Sequence, residues 1–169
     1  MMATQRIDIK HLPRVQELQS LLTITPAAAE SALSAFDRSF REHERALFSS
    51  EGASGGAIWA PLSPKYAARK RRRWPGRRIL TATGRLRRSL VQSDPEHVRE
   101  WHLVGENALL VVGTRDPVAA FHHEGTPRMP KRDPIQMVER QEAAMRASAA
   151  KALIPHVTRA IRALFARSA

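Results

Sequence analysis

The sequence predicts an α+β fold: long N-terminal and C-terminal helices packed on a small antiparallel β-sheet, with an extended basic insertion. Three observations predict it. Leu33, Phe36, Phe40 and Leu47 recur at i, i+3, i+7 and i+14, the spacing of one buried helical face. Val98–Val104 and the apolar run Asn107–Gly113 flank the turn residues Gly105-Glu106-Asn107, which is hairpin chemistry. Val138, Met145, Ala149, Leu153, Val157, Ile161 and Leu164 then form a second helical stripe. At 169 residues the chain suits one domain with a real core. Residues 1–25 read as an N-terminal arm and 26–169 as a single domain, with the basic insertion at 52–78 inside it.

Taken in order, Arg6–Lys10 alternates polar and apolar as a short strand does, and Val15, Leu18, Leu21 and Leu22 fall at helical spacing before Pro26. Thr25 is a fitting N-cap, and Pro26 stands at the first helical position, where its missing N–H costs nothing. A helix over about 26–49 follows, ended by Ser-Ser-Glu-Gly. Gly52–Ala57 reads as a flexible loop by composition. Ser63 as cap and Pro64 at the next position predict a basic helix to about Arg73, broken by Trp74-Pro75-Gly76. A short helical turn is expected over Arg85–Leu90, with Leu90–Ser93 as a third strand before Asp94-Pro95. Asp116 caps a short helix over Pro117–Glu124, and Gly125–Pro134 is a proline-rich loop. An interior proline costs roughly 3 kcal/mol. Pro155 therefore predicts a kink, or two helices over about 134–152 and 155–167.

Charge is unevenly placed. Eleven Lys and Arg lie between Lys65 and Arg88, with no Asp or Glu between Glu51 and Asp94. The other residues hold seventeen basic and sixteen acidic side chains, so a near-neutral body carries one intensely basic segment. Its cations are Lys65, Arg69, Lys70, Arg71, Arg72, Arg73, Arg77, Arg78, Arg85, Arg87 and Arg88. Nine are Arg, the residue suited to bidentate contacts with phosphate or carboxylate. A solvated helix face usually intersperses acids with its bases; here there are none. The segment therefore points to nucleic acid or an acidic protein surface as partner, through sequence-independent contacts.

Other classes are excluded or disfavoured. The chain has no cysteine, hence no disulfide, thiol nucleophile or Cys-ligated zinc. No apolar run is long enough to span a membrane, and no basic head with an apolar core marks a secretion signal. His122-His123-Glu124 is the one cluster with catalytic residue types. It lacks a helical His-x3-His pair, and the single Asn, Asn107, lies upstream, so a metal-dependent nuclease is the weakest reading. His122 is expected to pack inside the fold and His123 to be partly exposed. Gly84 and Gly125 are expected to turn the backbone beside short helices, with neither in a phosphate-cradling loop. No enzyme activity, cofactor or metal is expected.

The order of the fragments carries a resemblance. Trp59-x-Pro61-Leu62-Ser63 comes first, followed by a Tyr-bearing basic helix and Ile79-Leu80-x-x-Thr83-Gly84-x-Leu86-x-x-Ser89. A hairpin ending Val111-Val112-Gly113-Thr114 follows, then Ala119-Ala120-x-His122-His123-x-Gly125 and Met129-Pro130-x-Arg132. This resembles the phage virion-morphogenesis family, the tail-completion proteins of Mu-like and related tailed phages, over about residues 26–140. The family commonly has Tyr-Ala where this chain has Ala119-Ala120, and Arg-Pro where it has Arg132-Asp133-Pro134. The resemblance implies a non-enzymatic structural protein of the virion's head–tail junction, assembled in the host cytoplasm. It implies a homo-oligomeric, hexameric ring that completes or terminates the tail and joins it to the head connector. Its partners would be other neck and tail proteins, and DNA would face the lumen. Trp59, Pro61, Leu62, Leu80, Gly84, Leu86, His122, His123, Gly125, Met129, Pro130 and Arg132 would then hold the fold or assembly together. The arginine run would be a docking loop anchored at both ends.

Overall fold

The computed structural model describes residues 4–7, 25–104 and 107–167. Its elements are β1 (Thr4–Ile7), α1 (Pro26–Ser49), α2 (Pro64–Arg73), α3 (Arg85–Val91), β2 (His97–Val104), β3 (Asn107–Thr114), α4 (Pro117–Glu124) and α5 (Glu139–Arg167). The fold is α+β. Helix α1 begins as its capping chemistry requires, with the Thr25 hydroxyl accepting from the Ala28 N–H at 3.2 Å. Ser63 and Asp116 cap α2 and α4 in the same way, each followed by proline.

Three antiparallel strands lie in the order β1-β3-β2. The hairpin register runs from His97↔Thr114 to Val104↔Asn107, as the sequence predicts. Gly105 and Glu106, the expected turn, lie outside the described residues. The third strand is a correction. Leu90–Ser93 does not supply it, because Leu86, Leu90 and Val91 share the buried face of α3 and the Gln92 N–H bonds the Arg88 carbonyl at 2.9 Å. Thr4–Ile7 instead pairs with β3, Thr4 opposite Val111 and Ile7 opposite Ala108. Arg6 and Ile7 of the strand expected at Arg6–Lys10 lie in β1, and residues 8–10 and the helix expected around Val15–Leu22 lie outside the described residues.

Helix α1 is the hub. Leu33, Phe36, Phe40, Leu47 and Phe48 are buried with Leu86, Leu90 and Val91 of α3, Leu110 and Val112 of β3, and Met145 and Ala149 of α5. Ala32 on α1 and Met145 and Ala149 on α5 are buried in one cluster, and the two long helices pack against each other. Helix α5 therefore rests on α1 rather than directly on the sheet.

Of the two readings of Pro155, a kink or two helices, helix α5 excludes the second, and its start also differs from the one expected. It is one continuous helix through Pro155, with the Ser31 hydroxyl and His156 Nε2 2.8 Å apart across the α1–α5 contact. Packing against α1 outweighs the single backbone hydrogen bond that Pro155 cannot make. It starts at Glu139 rather than 134, because the preceding segment is held in other bonds. The Ile135 N–H bonds Asp133 Oδ1 at 3.1 Å, His43 Nε2 meets the Gln136 carbonyl at 2.9 Å, and Gln136 Nε2 donates to the Gly52 carbonyl at 2.6 Å. The same bonds turn Gly52–Ala57, expected to be flexible, into an ordered turn with a short 3-10 helix at Ala53–Gly55.

Candidate protein-docking face and cleft

The fragments singled out in the sequence converge in space. Trp59 is buried edge-on against Phe48, its Nε1 donating to the Asp133 carbonyl at 2.9 Å. Arg132, also buried, donates from Nε to the Ala60 carbonyl at 2.6 Å and from Nη2 to the Pro61 carbonyl at 2.8 Å. Its own N–H bonds the His122 carbonyl at 2.8 Å. The fully buried Ser89 receives the Thr114 hydroxyl at 2.7 Å, joining two more fragments. Gly84 and Gly125 take φ of 75° and 79° beside α3 and α4, the left-handed region that glycine adopts without a Cβ clash.

These contacts surround a cleft of about 620 Å³ between α2, α3, α4 and the loop after α4. Leu62, Leu80, Leu86, Val118, Met129 and Pro130 give it apolar walls. Lys70, Arg85, Arg128 and Arg132 line it with positive charge, against the single carboxylate of Asp116. Asp116 is already engaged, accepting from the Val118 N–H at 3.1 Å and lying 3.5 Å from Arg85 Nε.

The basic segment divides in two. Lys70 turns inward, only 4% exposed, and donates from Nζ to the Arg78 carbonyl, which also accepts the Thr81 hydroxyl at 2.7 Å. Burial pushes the Lys70 ammonium below its ordinary range, and Glu51 only partly offsets this. Arg78 donates to the Ser49 carbonyl at 2.6 Å, Arg85 pairs with Glu96 at 3.0 Å, and Arg88 donates to the Thr83 carbonyl at 3.3 Å. These four cations are tied into the fold. Lys65, Arg69, Arg71, Arg72, Arg73 and Arg77 are exposed, and Arg87 is half-buried. Among the described residues none of these seven has a carboxylate within ion-pair distance. Arg69 stacks over Tyr66 and Arg73 over Trp74, at 5.0 and 4.8 Å from the ring centroids, which holds two guanidinium groups in place. Lys70–Arg73 also stand in the last turn of α2, where the helix dipole favours cations.

His122 and His123 do not form a catalytic cluster. His122 faces the cleft with a buried Nδ1 that lacks a hydrogen-bond partner. Burial and the neighbouring Arg132 hold it below the ordinary histidine range, against the opposing pull of Asp116. His123 points elsewhere, its Nδ1 2.9 Å from Asp133 Oδ2 but too poorly angled for a hydrogen bond. Glu124 is exposed, and no group of three His, Asp or Glu among the described residues is placed to hold a metal ion.

Sequence reading missed two polar sites on α1. Asp37 accepts from Arg41 and lies 2.9 Å from His97 Nε2, whose Nδ1 faces the Ser89 carbonyl at 2.9 Å. His97 thus joins the Asp37 carboxylate on α1 to the Ser89 carbonyl on α3. Burial alone would raise Asp37, but the bonds from His97 and Arg41 outweigh it and leave the carboxyl below its usual range. Glu44 is fully buried, with neither oxygen hydrogen-bonded. Burial, reinforced by Asp133, pushes its carboxyl well above the usual range. The signal was available: both residues sit within the Leu33–Leu47 stripe, where an apolar side chain would be expected.

A family model described as the phage virion morphogenesis family matches residues 10–160. No curated protein and no solved structure gives a match.

Proposed function

Since the chain belongs to the phage virion morphogenesis family, we propose that it is a structural subunit of the head–tail junction. It completes or terminates the tail and joins it to the head connector, as one copy in a ring of identical subunits. The carrying observation is the match over residues 10–160, which spans α1, the hairpin, the cleft and most of α5. The geometry supports a role in contact rather than chemistry. Motif residues lock one another through backbone carbonyls, and the cations of α2 other than Lys70 project from that scaffold without acids of their own among the described residues. A rigid ledge of unpaired charge suits a neighbouring subunit or connector with an acidic surface. Disrupting the gene in the phage that carries it tests this reading. Filled heads and separate tails, rejoined when the protein is supplied in trans, are expected; normal joined particles without it would sink the proposal.

A second reading rests on one observation, the exposed cluster Arg69, Arg71, Arg72, Arg73 and Arg77. These five would engage DNA phosphates without base readout, and duplex affinity would then fall with salt at a log–log slope of about −4.5. Absence of binding at moderate salt assigns the ledge to protein.

A further inference from the structure

We propose that the cleft between α2, α3 and α4 binds an acidic–apolar peptide segment of a protein partner. A carboxylate of that segment would be received on the Lys70, Arg85, Arg128 and Arg132 side, and its apolar neighbours by Leu62, Leu80 and Met129.

The charge is the first argument. Buried cations are ordinarily paired with carboxylates. Lys70 and Arg132 are each 4% exposed, yet neither has a carboxylate within ion-pair distance among the described residues. Both are oriented by backbone carbonyls instead, which fixes their position, and Glu51 only partly offsets the burial of Lys70. The cleft's one acid, Asp116, is occupied by the α4 N-terminus and Arg85. An arriving carboxylate would meet a preorganised positive field and displace no internal ion pair from Lys70 or Arg132.

The walls are the second argument. A concave site with mostly apolar walls and a few convergent polar groups is the usual form of a ligand pocket. Leu80 adds strain to that wall, with φ of +60° in a region that non-glycine residues seldom occupy. The Thr81 bonds to the Arg78 carbonyl, at 2.7 and 3.1 Å, and the Ile79 N–H bond to Glu51 Oε1 at 2.8 Å hold it there. His122 contributes one more polar atom, the unpartnered Nδ1. A duplex offers phosphates on a convex surface with no apolar flank, and the exposed arginines of α2 suit that shape better. The cleft suits a side-chain carboxylate between apolar residues.

This inference rests on the reading that the chain works against protein neighbours. Its test is done in solution and does not depend on position in a particle, so the two can fail separately. The labelled full-length chain is titrated by NMR with N-acetyl-Leu-Glu-Leu-amide and with its Gln counterpart. Inorganic phosphate and a short DNA duplex form the remaining arms. Saturable shifts of the Met129 methyl and His122 ring signals are expected with the Glu peptide, about tenfold weaker with Gln. Val118→Asp places a carboxylate at an exposed cleft residue, and Arg128→Gln removes an exposed cation. Both should abolish the shifts at an unchanged melting temperature. Lys70 and Arg132 are left intact because they hold the backbone. Equal response to Glu and Gln, tighter response to phosphate or DNA, or no response at all overturns the proposal.

Discussion

The two sides of α1 treat charge in opposite ways. Toward β2, cations are matched within the fold. Arg41 lies 2.8 Å from Asp37, and Arg99 bridges Glu30 and Asp37. Toward α2, Arg71, Arg72, Arg73 and Arg77 stand exposed with no carboxylate in reach among the described residues. The matched side holds the subunit together, whereas the unmatched side contributes to the fold only through the end of α2 and the Arg73–Trp74 stack. Surplus charge confined to one rigid ledge is charge available to a partner.

The contrast breaks most visibly at Asp37. Asp37→Ala leaves His97 and Arg41 beside a buried void, and removing one member of a buried ion network costs about 3–5 kcal/mol. Urea denaturation should show that loss. Because the folded state holds Asp37 below its ordinary 3.8, its stabilisation is complete above that value. It is lost as pH falls through the folded pKa, and Asp37→Asn should flatten that acid limb.

Arg132→Met is the next largest. It removes two charge-assisted bonds that pin Ala60 and Pro61, at a cost of about 2–3 kcal/mol. Near-neutral stability of this variant would show that the Trp59–Leu62 segment is held by packing alone.

Glu44 sharpens the comparison with the opposite sign. The unfolded chain ionises this carboxyl near 4.5, while the fold keeps the proton to higher pH. Stability should therefore decline as pH rises above about 4.5, by at most ~1.4 kcal/mol per unit, until the folded group also ionises. Glu44→Leu removes two unsatisfied buried oxygens and should stabilise by about 1–3 kcal/mol at pH 7, with the slope abolished. Denaturation curves at pH 5 and pH 8 read both effects.

These polar positions also mark where sequence reasoning stopped. Capping residues and proline positions define α1, α2 and α4, because Thr25, Ser63 and Asp116 act within three residues of themselves. The hairpin was legible because its register is local. The third strand was not, since Thr4–Ile7 pairs with a partner about a hundred residues away and nothing in four residues specifies that. The composition of the basic segment showed its charge but not its direction. Lys70 and Arg71 are adjacent in sequence, yet the helical turn buries one and exposes the other. The motif fragments were legible as fragments; that they close around one cleft depends on long-range bonds such as Arg132 to Ala60.

The smallest expected effect on stability belongs to the ledge itself, and it is the most direct test. Arg71, Arg72, Arg73 and Arg77 are replaced together by Gln, and this variant is supplied in trans, alongside the wild type, to particles lacking the gene. Thermal unfolding should lose no more than about 1 kcal/mol, from the helix end and the Arg73–Trp74 stack, while the fraction of joined particles collapses. Full joining by the Gln variant would contradict the claim that the unmatched charge of α2 serves assembly.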